Sequence, residues 1–239
     1  MDRTALVTGA DRGLGFALSA GLLERGWRVY AGQYMPEWPE LAALADRYPD
    51  TLHVVPLDVG STESVQVAAQ AVAETTDHID LLISNAGIGT RTGRRSIREA
   101  QDYEAMHSVY DVNTLGPLRV VESFLPLCDR GAFKRLCFVS SEAGSIARSQ
   151  RTTGYGYCMS KAALNMAAKI LFNDLRPEGY TFRVYYPGWL RSYMGGQKNM
   201  RANLEPEEAA ALAIPLFLAD REDEDRLVMI DYQGQEWPW

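Results

Sequence analysis

Short apolar or β-branched runs alternate with longer segments of helical period along almost the whole chain, and this alternation restricts the fold more than any other feature. "TALVTG" gives way to a helical segment over 14–25, then "WRVYAG", then a helix near 39–48. "LHVVPLD" leads into "STESVQVAAQAVAET", where Ser61 and Ser64 suit a helix start, and on to "IDLLISNAG". A long helical stretch over about 99–127 precedes "FKRLCFVSS", and another over about 154–175 precedes "TFRVYYPG". The last helix opens at "EPEEAAA", with proline and carboxylates in its first turn, and the strand "RLVMID" follows. Strands apolar on both faces need cover on both sides, which helical crossovers provide. The pattern therefore predicts one α/β domain over residues 1–239, a doubly wound parallel sheet with helices on both faces. No linker, repeat or low-complexity segment interrupts it.

Composition narrows the function. A net charge of −7 argues against nucleic acid, which calls for a basic stripe. Cys128, Cys137 and Cys158 form no CxxC pair, so reduced thiols in a cytoplasmic compartment are expected. The histidines at 53, 78 and 107 are scattered, and no metal site is expected of them. No secretory signal precedes the first strand, and the longest apolar run, "AAALAIPLFLA", is too short to span a bilayer and is broken by Pro215. A soluble protein without a membrane partner is expected.

The first strand runs into "TGADRGLG". Gly9, Gly13 and Gly15, with Asp11, Arg12 and Leu14 between them, make a strand-to-helix turn whose backbone can approach a pyrophosphate at a helix N-terminus. The second strand ends in Gln33 and Tyr34, without the carboxylate that holds an adenosine ribose. Nothing there repels a 2′-phosphate, and Arg12 can pair with one. NADP is thus preferred over NAD, although Gln33 would also accept a ribose hydroxyl. Asp58 and Val59 close the third strand at the adenine position. Asn85, Ala86 and Gly87 close the fourth, where small residues let a dinucleotide cross the sheet edge.

The chemistry concentrates in "YGYCMSK". On a helix, Tyr157 and Lys161 share a face, whereas Tyr155 points largely away and packs or lines the entrance. An ammonium ~4 Å from a phenolate at an effective dielectric of ~20 attracts it by about 4 kcal/mol. That would lower the phenol by at most ~3 pKa units, toward the range useful for acid–base catalysis. "FVSSEAGS" ends the fifth strand at the carboxyl edge where ligands bind. Ser141 can donate to a substrate oxygen there, with Ser140 facing the other way. Asn113, inside the long helix, could hold a water that relays a proton to Lys161, or could be an exposed helix residue.

Taken in order, "TGADRGLG", "NAG", the Asn113 segment, "SS", "YCMSK" and "YPGWLRS" resemble the short-chain dehydrogenase/reductase family over essentially the whole chain. "PGW…MGG" and the terminal "DYQGQEWPW" look like its branch of C-factor and Sniffer-type carbonyl reductases. The resemblance implies a single-domain Rossmann fold with a seven-stranded sheet and a site of Ser141, Tyr157, Lys161 and Asn113. It implies that Pro187, Gly188 and Leu190 flank a nicotinamide, with Ser192 as hydroxyl donor to its carboxamide. Tyr157 and Lys161 would also touch the cofactor. A small carbonyl or alcohol substrate and a homodimer or homotetramer are implied as well. Ser141 precedes Tyr157 by sixteen residues, three more than in many members, so "SIARSQRTTG" should form a longer loop beside the substrate.

Arg91, Arg94, Arg95 and Arg98, with Arg148 and Arg151 in that loop, would suit an anionic substrate, or simply face water. Trp189 either walls the pocket or packs. An alternative function is an NADP-binding regulatory or signalling protein of the C-factor type with little turnover. The joint presence of Ser141, Tyr157, Lys161 and Asn113 favours an enzyme.

Overall fold

The computed structural model describes residues 3–89, 95–194 and 196–239. Eight strands form one sheet: β1 (Thr4–Val7), β2 (Arg28–Gln33), β3 (Leu52–Pro56), β4 (Leu81–Ser84), β5 (Arg135–Val139), β6 (Thr181–Tyr186), β7 (Met229–Asp231) and β8 (Glu236–Trp237). Their order is β3-β2-β1-β4-β5-β6-β7-β8. All neighbours are parallel except β7 and β8. The expected sheet thus has seven parallel strands, and a two-residue antiparallel edge is added that no period-2 pattern announced.

The helices are α1 (Gly13–Leu23), α2 (Pro39–Arg47), α3 (Thr62–Ala73), α4 (Tyr103–Tyr110), α5 (Gly116–Cys128), α6 (Tyr155–Leu175) and α7 (Pro206–Leu218). Pleating sends alternate residues to opposite faces. Leu6 and Leu82 go to one face with Val65, Phe124 and Phe172 of α3, α5 and α6. Ala5 and Val7 go to the other with Leu18, Leu41 and Ile214 of α1, α2 and α7. Both cores are built from the same strands, which explains why those strands read as unbroken apolar runs.

Local starts follow ordinary capping. Ser61 accepts from the Ser64 N–H at 3.2 Å ahead of α3, and Glu208 reaches back to the Glu205 N–H at 2.9 Å ahead of α7. The expected long helix over 99–127 is different in detail. It begins at Tyr103, capped by Asp102, and between α4 and α5 it passes through a π-type turn at Asp111–Leu115. Such a turn widens the helix by one residue and turns Asn113 inward.

Candidate active site

Between β1 and α1 the chain makes its glycine turn. Gly9 and Gly13 have φ of +63° and +59°, a region that side chains disfavour. A Cβ on Gly15 would lie 2.1 Å from the Gly9 carbonyl oxygen, so the third glycine lets α1 press against the strand end. No side chain caps α1, which leaves its first N–H groups directed at the turn. Thr8, which sequence reading passed over, braces this geometry. Its hydroxyl accepts from the N–H groups of Asn85 and Ala86, both at 3.0 Å, and Asn85 Nδ2 donates to the Thr8 and Gly9 carbonyls at 2.9 and 3.1 Å. A hydroxyl at the last position before a glycine turn was the available signal. Asn85 is therefore tied to the turn itself, with Ala86 and Gly87 forming the cleft floor beside it.

An open cleft of about 1550 Å³ runs from this turn along the carboxyl edge of the sheet, larger than the roughly 300–1,000 Å³ of most single-ligand pockets. Gly9, Gly13, Leu14 and Gly15 line it at one end and Pro187, Gly188, Leu190 and Ser192 along the opposite bank. Gly188 has φ of +83°, and a Cβ there would meet Leu204 and Tyr232 at 2.8 Å. Asp58 and Val59 also line the cleft, the Asp58 carboxylate accepting from the Gly60 N–H at 2.8 Å. Asp11 is committed to the loop after β2, accepting from the Tyr34 and Met35 N–H groups at 2.8 Å each.

Of the two residues expected after β2, Tyr34 lines the cleft, with Met35 beside it, and Gln33 does not; the Gln33 backbone carbonyl accepts from the Leu57 N–H at 2.7 Å. The strand runs one residue further before the chain turns out. Arg12 pairs with no carboxylate among the described residues; its guanidinium lies 4.6 Å from the Trp38 ring centre and 5.4 Å from that of Tyr193. The glycine cradle, the uncapped helix start and the length of the cleft fit a dinucleotide.

At the far end, β5 delivers Ser141, the opening turns of α6 deliver Tyr157 and Lys161, and all three line the cleft. Ser141 lies near enough to Tyr157 to favour its charged form. Ser140 turns away to donate to Asn165 Oδ1 at 2.6 Å. The expected acidification of the phenol is not present: burial raises its pKa above the ordinary value, and the Ser141 hydroxyl only opposes this. Lys161 Nζ lies 5.9 Å from the Tyr157 ring centre and donates to the Val139 carbonyl at 2.9 Å. Burial brings its own pKa down from 10.5 to about 8. An amine that is neutral above about 8 has no charge to lend a phenol that titrates higher.

Of the two alternatives for Asn113, the structure excludes the exposed one. It is fully buried, its Oδ1 accepts from the Ile88 N–H at 2.8 Å, and its Nδ2 donates to the Ile88 carbonyl at 2.9 Å and to Ser160 Oγ at 3.1 Å. The side chain thus holds the Ile88 bank against α6.

Of the arginines, Arg91 and Arg94 lie outside the described residues. Arg95 donates to the Ala100 carbonyl, and Arg98 is exposed away from the cleft. Arg151 does line it, ion-paired with Glu142 beside Ser141. Arg148 instead stacks on Trp237. Trp189, half exposed, walls the cleft, whereas Tyr155 does not line it.

Comparison with known proteins decides the family. A family model described as short chain dehydrogenase matches residues 3–203. The chain belongs to the short-chain dehydrogenase family. It is 38% identical to the C-signal of Myxococcus xanthus over 165 residues, 69% of this chain and 95% of that one. Its fold superimposes on the NADPH-bound carbonyl reductase from chicken fatty liver with a TM-score of 0.87 and 29% identity, covering 100% of this chain and 99% of that one. The carbonyl reductase Sniffer of D. melanogaster gives 0.89 at 23% identity, covering all of both chains, a likeness of fold. This short-chain dehydrogenase is accordingly an NAD(P)-dependent oxidoreductase by family. No described helix is long and apolar enough to cross a membrane.

Proposed function

We propose that the protein is an NADP(H)-dependent oxidoreductase that interconverts a carbonyl and an alcohol, with Tyr157 as general acid/base. The observation that carries this reading is the presence of Ser141 and Tyr157 in one cleft with a buried lysine, at the opposite end from the glycine turn. When bound, the dihydronicotinamide supplies hydride to the carbonyl carbon. Ser141 donates to the carbonyl oxygen and Tyr157 gives it a proton, which completes the alcohol. Lys161 carries its charge below about 8, and as an ammonium next to the ring it stabilises the phenolate that remains. Asn113 keeps the facing bank in place through Ile88. The Arg12 guanidinium, which no carboxylate pairs among the described residues, supports NADP over NAD.

Turnover tests the reading. NADPH and NADH oxidation would be followed with a panel of aldehydes, ketones and quinones, using Tyr157→Phe as control. We expect NADPH to be preferred and the variant to lose roughly 10²–10⁴-fold in kcat while binding NADPH normally. A variant that retains the wild-type rate overturns the role of Tyr157. We also infer a homodimer or homotetramer in a reducing, cytoplasmic setting. Met159, Met166 and Ile170 are exposed along one face of α6, and the three cysteines are free thiols.

A further inference from the structure

The longer loop after Ser141 and the terminal aromatic segment, two features that the catalytic reading leaves unused, meet in space. Loop 145–153 departs from the cleft and returns to it: Glu142 and Arg151 pair at its neck and both line the cleft beside Ser141 and Tyr157. From Ile146 to Thr152 the loop is exposed to solvent, and little of its own structure fixes it. What fixes it comes from the end of the sheet. Ser145, 1% exposed, donates from Oγ to the Pro238 carbonyl at 2.5 Å, and the Ala147 N–H donates to the Trp239 carbonyl at 2.9 Å. The Arg148 guanidinium lies 4.5 Å from the Trp237 ring centre, within cation–π range.

The segment that grips the loop is itself held. Trp237 Nε1 donates to Asp231 Oδ2 at 2.9 Å, and Arg226 forks onto Glu236 at 2.6 and 2.8 Å. Trp237 also meets Tyr186 edge to face, ring centres 5.4 Å apart, and Tyr186 is a wall of the cleft. One indole therefore contacts both a cleft wall and the loop whose far end reaches the cleft at Arg151.

We propose that residues 236–239 are a brace that sets the position of loop 145–153 against the catalytic end of the cleft, with Trp237 as a positioning residue for substrate selectivity. The proposal deepens the carbonyl-reducing function and rests on it. With the brace in place the loop closes down on a small carbonyl compound; released, it stands off, and only a larger compound still reaches it.

Two readouts separate this from general loss of structure. The first is the turnover of benzaldehyde and of phenanthrenequinone with NADPH by wild type, Trp237→Ala, Trp237→Phe and Arg148→Ala. For Trp237→Ala and Arg148→Ala, kcat/KM for benzaldehyde should fall on the order of tenfold, mostly through KM. The fall for phenanthrenequinone should stay within about threefold, NADPH affinity should hold, and Trp237→Phe should recover most of the loss. Equal losses for both carbonyl compounds, or no loss, overturn the selectivity role. The second readout is hydrogen exchange, which needs no turnover. Amides of 145–153 should exchange faster in Trp237→Ala while α1 and the body of α6 keep their protection. Unchanged exchange in the loop, or faster exchange throughout, overturns the brace. If wild type reduces neither compound nor any other carbonyl tested, the catalytic reading fails, and the selectivity proposal fails with it, whatever the exchange shows.

Discussion

An ammonium 3% exposed, whose one hydrogen-bond partner among the described residues is the neutral Val139 carbonyl, raises the free energy of the folded chain. The sign is fixed by its pKa. The unfolded chain keeps a proton up to about 10.5 that the folded chain loses from about 8, so stability rises with pH across that window and the full cost is present at neutral pH. Lys161→Met removes the cost along with one hydrogen bond worth about 1 kcal/mol. At pH 7 the cofactor-free variant should be more stable by about 2 kcal/mol, roughly 5 °C in Tm, while turnover is lost. Thermal melts at pH 7 and pH 10 check this: the gain should shrink at the higher pH, and a destabilised variant at pH 7 contradicts it. Both Lys161 and Tyr157 were legible from their four-residue spacing. Their electrostatics were not, because desolvation is set by neighbours distant in sequence.

At the level of elements, the glycine turn forms one end of the cleft and the π-type turn holds the Ile88 bank. Gly15→Ala would drive a methyl into the Gly9 carbonyl oxygen, a 2.1 Å contact with backbone that cannot swing aside. α1 must shift, and we expect a loss of more than about 2 kcal/mol in stability together with weakened NADPH binding, read by denaturant titration and by fluorescence. Gly13→Ala offers the contrast: an added Cβ meets nothing within 4 Å, so only the strain of its positive φ, about 1 kcal/mol, applies. Equal costs at the two positions would show that the packing argument is wrong. The glycines were readable because a strand-to-helix turn needs them. The π-type turn was not: the segment from 99 to 127 has an ordinary helical period, and the inserted residue is stabilised by contacts Asn113 makes with Ile88 and Ser160.

Across the whole molecule, the amino-terminal edge of the sheet carries two buried arginines that an apolar strand pattern gave no reason to place inside. Arg135 donates to the Phe217 and Ala219 carbonyls, both at 2.9 Å, and to Asp220 at 2.7 Å. Arg183 donates to the Leu216 and Ala219 carbonyls and forks onto Glu224. They take up the last carbonyls of α7, which have no partner inside the helix. Arg135→Met should cost about 2 kcal/mol in chemical denaturation, because the buried Phe217 carbonyl loses its donor while Ala219 keeps only the one from Arg183, and leave turnover per folded molecule unchanged. A neutral effect on stability would mean water replaces the guanidinium. Sedimentation should find a homodimer or homotetramer, and Met166→Asp with Ile170→Asp should give a monomer if the exposed face of α6 is the contact. A wild-type monomer removes that inference.

The order of strands and helices, the doubly wound sheet, the glycine turn and the placing of Tyr157 and Lys161 on one face of a helix are written in the sequence, since each follows from local periodicity or fixed spacing. Tertiary structure alone decided which polar groups were already occupied. Asn113 is taken by Ile88, Asp11 by the loop after β2, Asn85 by the glycine turn, and Ser145 by Pro238. A hydrogen bond depends on distance and angle between groups that folding brings together, and spacing along the chain carries no record of it when the partner lies dozens of residues away.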